Sequence, residues 1–223
     1  MKLCYAPDGL EILIPEGGVS GICLENPKTM QSFVSNLWKQ SNGEEGDIFI
    51  SDGDKSVHLD KGVSVVFNPF SIDVNEKKIL TKLMSEMQVI SEAELYVQKA
   101  ELNAAIISLL DEINLRMPYP MTYSLDLDIQ QLLKAYSVKV DMQSTSLMEH
   151  IVDYVKLGHQ VLGIKLYVFL HLKDYLSEED LEKLYEMVAY EQISVLLLES
   201  KMIDKLPQEQ WWIVDADNCI IEI

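Results

Sequence analysis

The sequence predicts a mixed α/β protein whose single head domain is interrupted by an all-helical leg. Three observations predict it. Short apolar runs at 19–24 (VSGICL), 63–67 (VSVVF), 164–170 (IKLYVFL) and 194–198 (SVLLL) have the length and composition of buried strands. Helical periodicity fills the intervals next to them, as strand-helix units require. Residues 71–136, by contrast, carry helical periodicity alone. The expected division is a head of residues 1–70 and 137–223 and a leg of residues 71–136.

In chain order, the strand at 19–24 is followed by Asn26 and Pro27, a helix cap and a first helical position. The helix runs to about Gln40, with Phe33, Val34, Leu37 and Trp38 on one face, and Ser41-Asn42-Gly43 ends it. Residues 47–51 (DIFIS) and 56–60 (SVHLD) alternate about Asp52-Gly53 as a hairpin does. From Asn75, Ile79, Leu80, Leu83, Met84 and Met87 mark one long helix, and Leu95, Leu102, Ile106, Leu109, Leu110 and Ile113 mark a second. Pro118 and Pro120 break the pattern before a third, shorter helix with Ile129, Leu132, Leu133 and Tyr136.

Strand signals return at 138–141 (VKVD), and a helix with Leu147, Ile151, Val152 and Val155 is expected to end near Gly158. Ser177 to Asp180 opens a capped helix between the strands at 164–170 and 194–198, which makes a βαβ crossover. Trp211–Val214 and 219–222 read as a closing hairpin around 215–218, with one of Trp211 and Trp212 in the core and the other at the surface.

With 223 residues and 48% hydrophobic content the chain can bury a substantial core. No apolar run approaches the ~20 residues that span a bilayer, and the first residues lack the apolar run of a secretory signal, so a cytoplasmic location is expected. Cys4, Cys23 and Cys219 are far apart and read as small hydrophobes, without metal-pair or disulfide spacing. The net charge of -18 opposes a polyanion as a whole, yet lysines gathered on one surface still bind phosphate. Arg116 is the one arginine, so such contacts would be lysine point charges, suited to sequence-independent binding.

Glu25-Asn26-Pro27-Lys28-Thr29 stands where a phosphate loop would, between strand and helix, but it has no glycines, and Pro27 removes an amide donor. No nucleotide is expected there. Asp52, Asp54 and Ser56 imitate the start of a calcium loop, but Val57 and Val63 occupy the positions of its glycine and bidentate glutamate. His58, His150, His159 and His171 show no metal or triad spacing, and no nucleophile elbow is present, so the chain is not expected to be an enzyme. Asp126 and Asp128 precede the third leg helix, where carboxylates cap helices or, with more oxygens, hold a cation.

Residues 63–83 (VSVVFNPFSIDVNEKKILTKL), 132–152 (LLKAYSVKVDMQSTSLMEHIV) and 164–199 together resemble the short Csn-type adaptation proteins found beside type II-A CRISPR arrays. The resemblance implies a head like that of a P-loop ATPase with a degenerate nucleotide motif. It implies a homotetrameric ring that threads linear double-stranded DNA from its free ends through a lysine-lined hole. It also implies a part in spacer acquisition beside the integrase proteins and the effector nuclease. The expected DNA-binding residues are Lys28 and Lys39 on the first head helix and Lys134, Lys139 and Lys156 around the leg-to-head return. The family binds calcium near the entry to the last leg helix, residues 123–128 here. Only Asp126 and Asp128 carry over, since Ser124 and Gln131 stand where acidic residues are expected. Two further readings remain open beside the DNA-binding ring: a residual nucleotide switch, and an acidic scaffold that recruits basic partners with incidental DNA binding.

Overall fold

The computed structural model describes residues 1–202 and 204–223 and divides into two compact units, Met1–Val74 with Met142–Ile223, and Asn75–Asp141. The first unit is mixed α/β. It begins with a hairpin of β1 (Lys2–Tyr5) and β2 (Leu10–Leu13), to which sequence reasoning assigned no structure. The connection is a 3-10 turn closed by Gly9 in the left-handed conformation. Then come β3 (Val19–Leu24), α1 (Pro27–Ser41), β4 (Ile48–Asp52), β5 (Lys55–Val57), α2 (Leu59–Gly62) and β6 (Val63–Val66). The helical second unit follows with α3 (Lys77–Ala93), α4 (Tyr96–Asn114) and α5 (Ile129–Ala135). The first unit resumes with α6 (Leu147–Leu162), β7 (Leu166–Leu170), α7 (Glu178–Tyr190), β8 (Ser194–Glu199), β9 (Glu209–Val214) and β10 (Ile220–Glu222).

Two sheets form the first unit. β2-β1-β4-β5 is antiparallel, whereas β10-β9-β3-β8-β7-β6 is parallel except for the β9-β10 hairpin at one edge. The inner strands of the larger sheet are apolar without alternation because both its faces are covered. On one face Leu166, Val168, Leu170, Leu196 and Leu198 pack in one core with Phe33 and Leu37 of α1 and with Leu3, Tyr5 and Ile12 of the small sheet. On the other, the Tyr167 hydroxyl donates to the Val155 carbonyl of α6 at 2.9 Å, and Leu181, Leu184 and Val188 of α7 are fully or nearly buried.

The doubly covered sheet corrects one expectation. Trp211 and Trp212 point to opposite faces, as strand neighbours must, yet both are buried. Trp211 lies so close over β3 that a Cβ on Gly21 would meet its indole at 2.4 Å, so only glycine fits there.

Other stretches also differ from expectation. The second hairpin strand ends at Val57 and does not reach residue 60, because Leu59 and Asp60 open α2. α6 runs through Gly158, whose missing side chain admits the Tyr167 hydroxyl, and ends instead at Gly163 in the left-handed conformation. Residues 138–141 are not a strand. Their one ladder-like contact is with a side chain, since the Asn75 amide accepts from the Val140 N–H at 2.8 Å and donates to its carbonyl at 3.2 Å. Among the described residues no helix is long and apolar enough to cross a membrane.

Candidate nucleic-acid surface and the sheet edge

β3 passes into α1 through only Glu25 and Asn26. The Asn26 side chain caps the helix by accepting from the Lys28 N–H at 3.0 Å, and its amide donates to the Ala216 carbonyl at 3.1 Å. Thr29 is buried, and its hydroxyl donates to Asn218 Oδ1 at 2.9 Å. The turn between β9 and β10 therefore sits on the start of α1 and occupies the groups that a phosphate loop would leave free.

Lys28 and Lys39, both exposed, lie in the first and last turns of α1. At 3.6 residues and 5.4 Å per turn they stand about 16 Å apart on nearly one line along the helix, a spacing that can follow a phosphate backbone. Lys39 in addition complements the negative end of the helix dipole. Beside this stripe runs an apolar groove of about 750 Å³, lined among others by Pro27, Met30, Val34, Trp38, Phe67 and Leu170. Trp38, which shares a helix face with Phe33 and Leu37, is 55% exposed along it. The groove opens at the carboxyl ends of the parallel strands, where open α/β sheets place their ligands.

Lys134 lies in the last turn of α5, and Lys139 in the extended segment that follows the turn at Tyr136 and Ser137; both are exposed. Lys156 is half-buried in α6, in a groove of about 530 Å³ shared with Glu149, Asp153 and Lys183. None of the five lysines forms an ion pair among the described residues. The structure thus brings Lys28 and Lys39 onto one stripe, while Lys156 sits among carboxylates that weaken its field.

The segment before α5 is hung on α4 inside the helical unit. The Tyr123 hydroxyl donates to Asp111, which raises the Tyr123 pKa, and the Asn103 amide donates to the Leu125 carbonyl at 2.8 Å. A hollow of about 370 Å³ lies there, with Asn103, Ser124, Asp126, Asp128 and Gln131 in its wall. Asp128 already accepts from the Gln131 N–H at 3.1 Å as the α5 cap, and Ser124 exchanges hydrogen bonds with the Asp126 backbone at 3.2 Å. Calcium takes six to eight oxygens, roughly half of them commonly carboxylate. Two carboxylates, one of them already capping a helix, do not fit that demand from this segment alone.

A buried ion pair braces the sheet edge. Lys173 Nζ contacts both Glu209 oxygens at 2.8 Å, and Glu209 also accepts from Tyr185 Oη at 2.6 Å, Trp211 Nε1 at 2.8 Å and the Leu206 N–H at 3.0 Å. Burial alone would push the Glu209 carboxyl up, but these donors together hold it below its ordinary value. The same environment, burial first and the Glu209 bond second, drives the Tyr185 hydroxyl upward. Cys23 is pushed up to about 11 by burial and by Glu25 and Glu199, so its thiol stays protonated.

Fold and site define a mixed α/β protein with a helical insertion, a closed helix N terminus in place of a phosphate loop, and a lysine stripe on its first helix. The model of the family described as CRISPR-associated protein (Cas_Csn2) matches residues 40–218, and the chain belongs to that family. Relatives agree. CRISPR-associated protein Csn2 of Streptococcus agalactiae is 25% identical over 202 residues, 90% of this chain and 89% of that protein. CRISPR-associated protein Csn2 of Enterococcus faecalis is 24% identical over 184 residues, 79% and 81% of the two chains. Among solved structures, cbiO1 from Clostridium perfringens, part of an ABC transporter complex, aligns with a TM-score of 0.48 at 13% identity, over 95% of this chain and 83% of that one. An ABC transporter ATP-binding protein of Pyrococcus furiosus aligns with a TM-score of 0.38 at 10% identity, over 91% and 88%.

Proposed function

We propose that this protein is a non-catalytic accessory of CRISPR adaptation in a type II-A system, a homotetrameric ring that holds the ends of linear double-stranded DNA without reading sequence. The observation that carries the reading is the apolar surface of the helical unit. No residue of α4 is buried, and Tyr96, Val97, Leu109 and Ile113 are 48 to 69% exposed, with Val89 and Ile90 of α3 similarly bare. A surface of that kind is covered in a working protein, and a second copy of the same chain covers it without any further partner. Oligomerisation repeats the Lys28–Lys39 stripe in every subunit, so modest local charge adds up along a duplex.

The head is read as a P-loop-like scaffold that works without nucleotide, because Asn26, Thr29, Ala216 and Asn218 satisfy one another at the start of α1. Calcium is not needed by this reading; a cation at Asp126 and Asp128 would require oxygens from another chain. The integrase proteins and the effector nuclease of the same system are the proposed partners, and the cytoplasm the proposed location.

A second reading rests on the net charge of -18. Here the protein is an acidic scaffold that recruits those partners, and DNA contact is incidental. Charge reversal at Lys28 and Lys39 separates the two. The ring reading expects loss of DNA binding and of spacer acquisition together, whereas the scaffold reading expects acquisition to continue.

A further inference from the structure

The carboxyl edge of the parallel sheet gathers a second set of side chains that the DNA-binding reading does not use. β7 and β8 pair with Leu170 beside Leu198, and the His171 N–H extends the ladder to the Leu198 carbonyl at 3.0 Å. This register sets His171 beside Glu199, the last residue of β8. His171 then opens the 3-10 turn Leu172–Asp174. That turn, capped by His171 in the left-handed conformation, returns Asp174 to the neighbourhood of His171.

One ligand atom from each of His171, Asp174 and Glu199 lies within 4.8 Å of the other two, and His171 Nδ1 is 3.2 Å from Glu199 Oε2. The other Glu199 oxygen accepts from the Lys173 N–H at 3.3 Å, which fixes the plane of the carboxylate. The Lys173 ammonium is turned away onto Glu209, so no side-chain cation of that turn competes for the carboxylates.

We propose that His171, Asp174 and Glu199 bind a divalent first-row transition cation of the zinc type. One imidazole nitrogen with two carboxylates is a ligand set for such metals, not for calcium or magnesium, which take oxygen alone. Two carboxylates balance the +2 charge. Glu199 is 1% exposed, and among the described residues its carboxylate has a backbone N–H and an imidazole as hydrogen-bond partners; such burial is costly, a cost that a bound cation offsets. Burial raises the Glu199 pKa for the same reason. His171 is 35% exposed on its side chain and Asp174 is exposed, so an ion enters from solvent. His171 also lines the groove beside α1. This inference stands apart from DNA binding and revises the expectation that none of the four histidines serves a metal.

The test uses the full chain stripped with EDTA. Zinc at a hundredfold excess over its dissociation constant raises Tm by roughly 5–10 °C. Calcium and magnesium at the same concentration leave Tm unchanged. Cobalt gives a visible d–d band without thiolate charge transfer, which separates this site from Cys219. His171→Asn, a residue that tolerates the left-handed backbone found there (φ 52), and Asp174→Asn, at an exposed position, lose the zinc shift, each measured against its own metal-free Tm, and lose the cobalt band. Absence of a zinc shift in the native protein would overturn the proposal and leave His171 and Glu199 a hydrogen-bonded pair. A shift that survives in both variants, or a cobalt–thiolate band, would equally overturn it by placing the metal elsewhere.

Discussion

At the residue scale, Glu209 shows how this acidic chain keeps charge in its interior. Its five bonds to four donors make it a fixed point between β9, α7 and the turn after β7. Removing one partner of a buried pair leaves the other uncompensated, so Lys173→Met is expected to cost roughly 3–5 kcal/mol, while Lys173→Met with Glu209→Gln recovers part of the loss. Urea unfolding of the two variants measures it. The native Glu209 pKa lies below its unfolded value, so its contribution is complete above the ordinary glutamate range and fades as pH falls through the native pKa. Acid unfolding of native protein and Glu209→Gln should therefore differ fully above pH ~4.5 and converge only once the pH has fallen through the lower native pKa of Glu209. Gly21→Ala places a methyl on the Trp211 ring, and the expected loss of about 1–3 kcal/mol is read from the same urea curves. Lys28→Ala and Lys39→Ala act differently. Lys28→Ala is expected to leave urea stability unchanged and Lys39→Ala to cost no more than about 1 kcal/mol through the helix dipole, and each to lower the salt slope of DNA binding by about 0.9 for every phosphate that the missing ammonium would neutralise.

At the element scale, the parts with local causes were legible. Asn26-Pro27 announces α1, and Ser177 with Asp180 announces α7, where the Asp180 N–H donates to Ser177 Oγ at 3.2 Å. What was not legible depends on partners distant in sequence. Gly158 reads as a helix stop until Tyr167 is seen beside it, and 138–141 reads as a strand because its partner, the Asn75 side chain, has no strand signature. The N-terminal hairpin has two strands of only four residues each, with Leu10 and Ile12 of β2 buried and Glu11 and Leu13 exposed, too short a pattern to stand out in the sequence. At the site, the spacing of Lys28 and Lys39 could be counted on a helix, but the approach of His171 to Glu199 arises from register between β7 and β8. The element with most left to cover is α4. Leu109→Lys with Ile113→Lys puts charge on its bare surface and is expected to lower the oligomeric state seen by light scattering, with the far-UV helix signal retained.

At the scale of the whole molecule, a net charge of -18 and DNA binding are compatible only if lysines are displayed where the carboxylates are not, and repeated by assembly. In the proposed function an oligomer encircles duplex ends. The most direct measurement is a gel-shift titration of linear and covalently closed duplex of equal length, at low and high salt, with light scattering on the same samples. A threaded ring is expected to bind the linear form as a tetramer, to ignore the closed form and to lose affinity steeply with added salt. Equal affinity for both forms, or binding by a monomer, would contradict it.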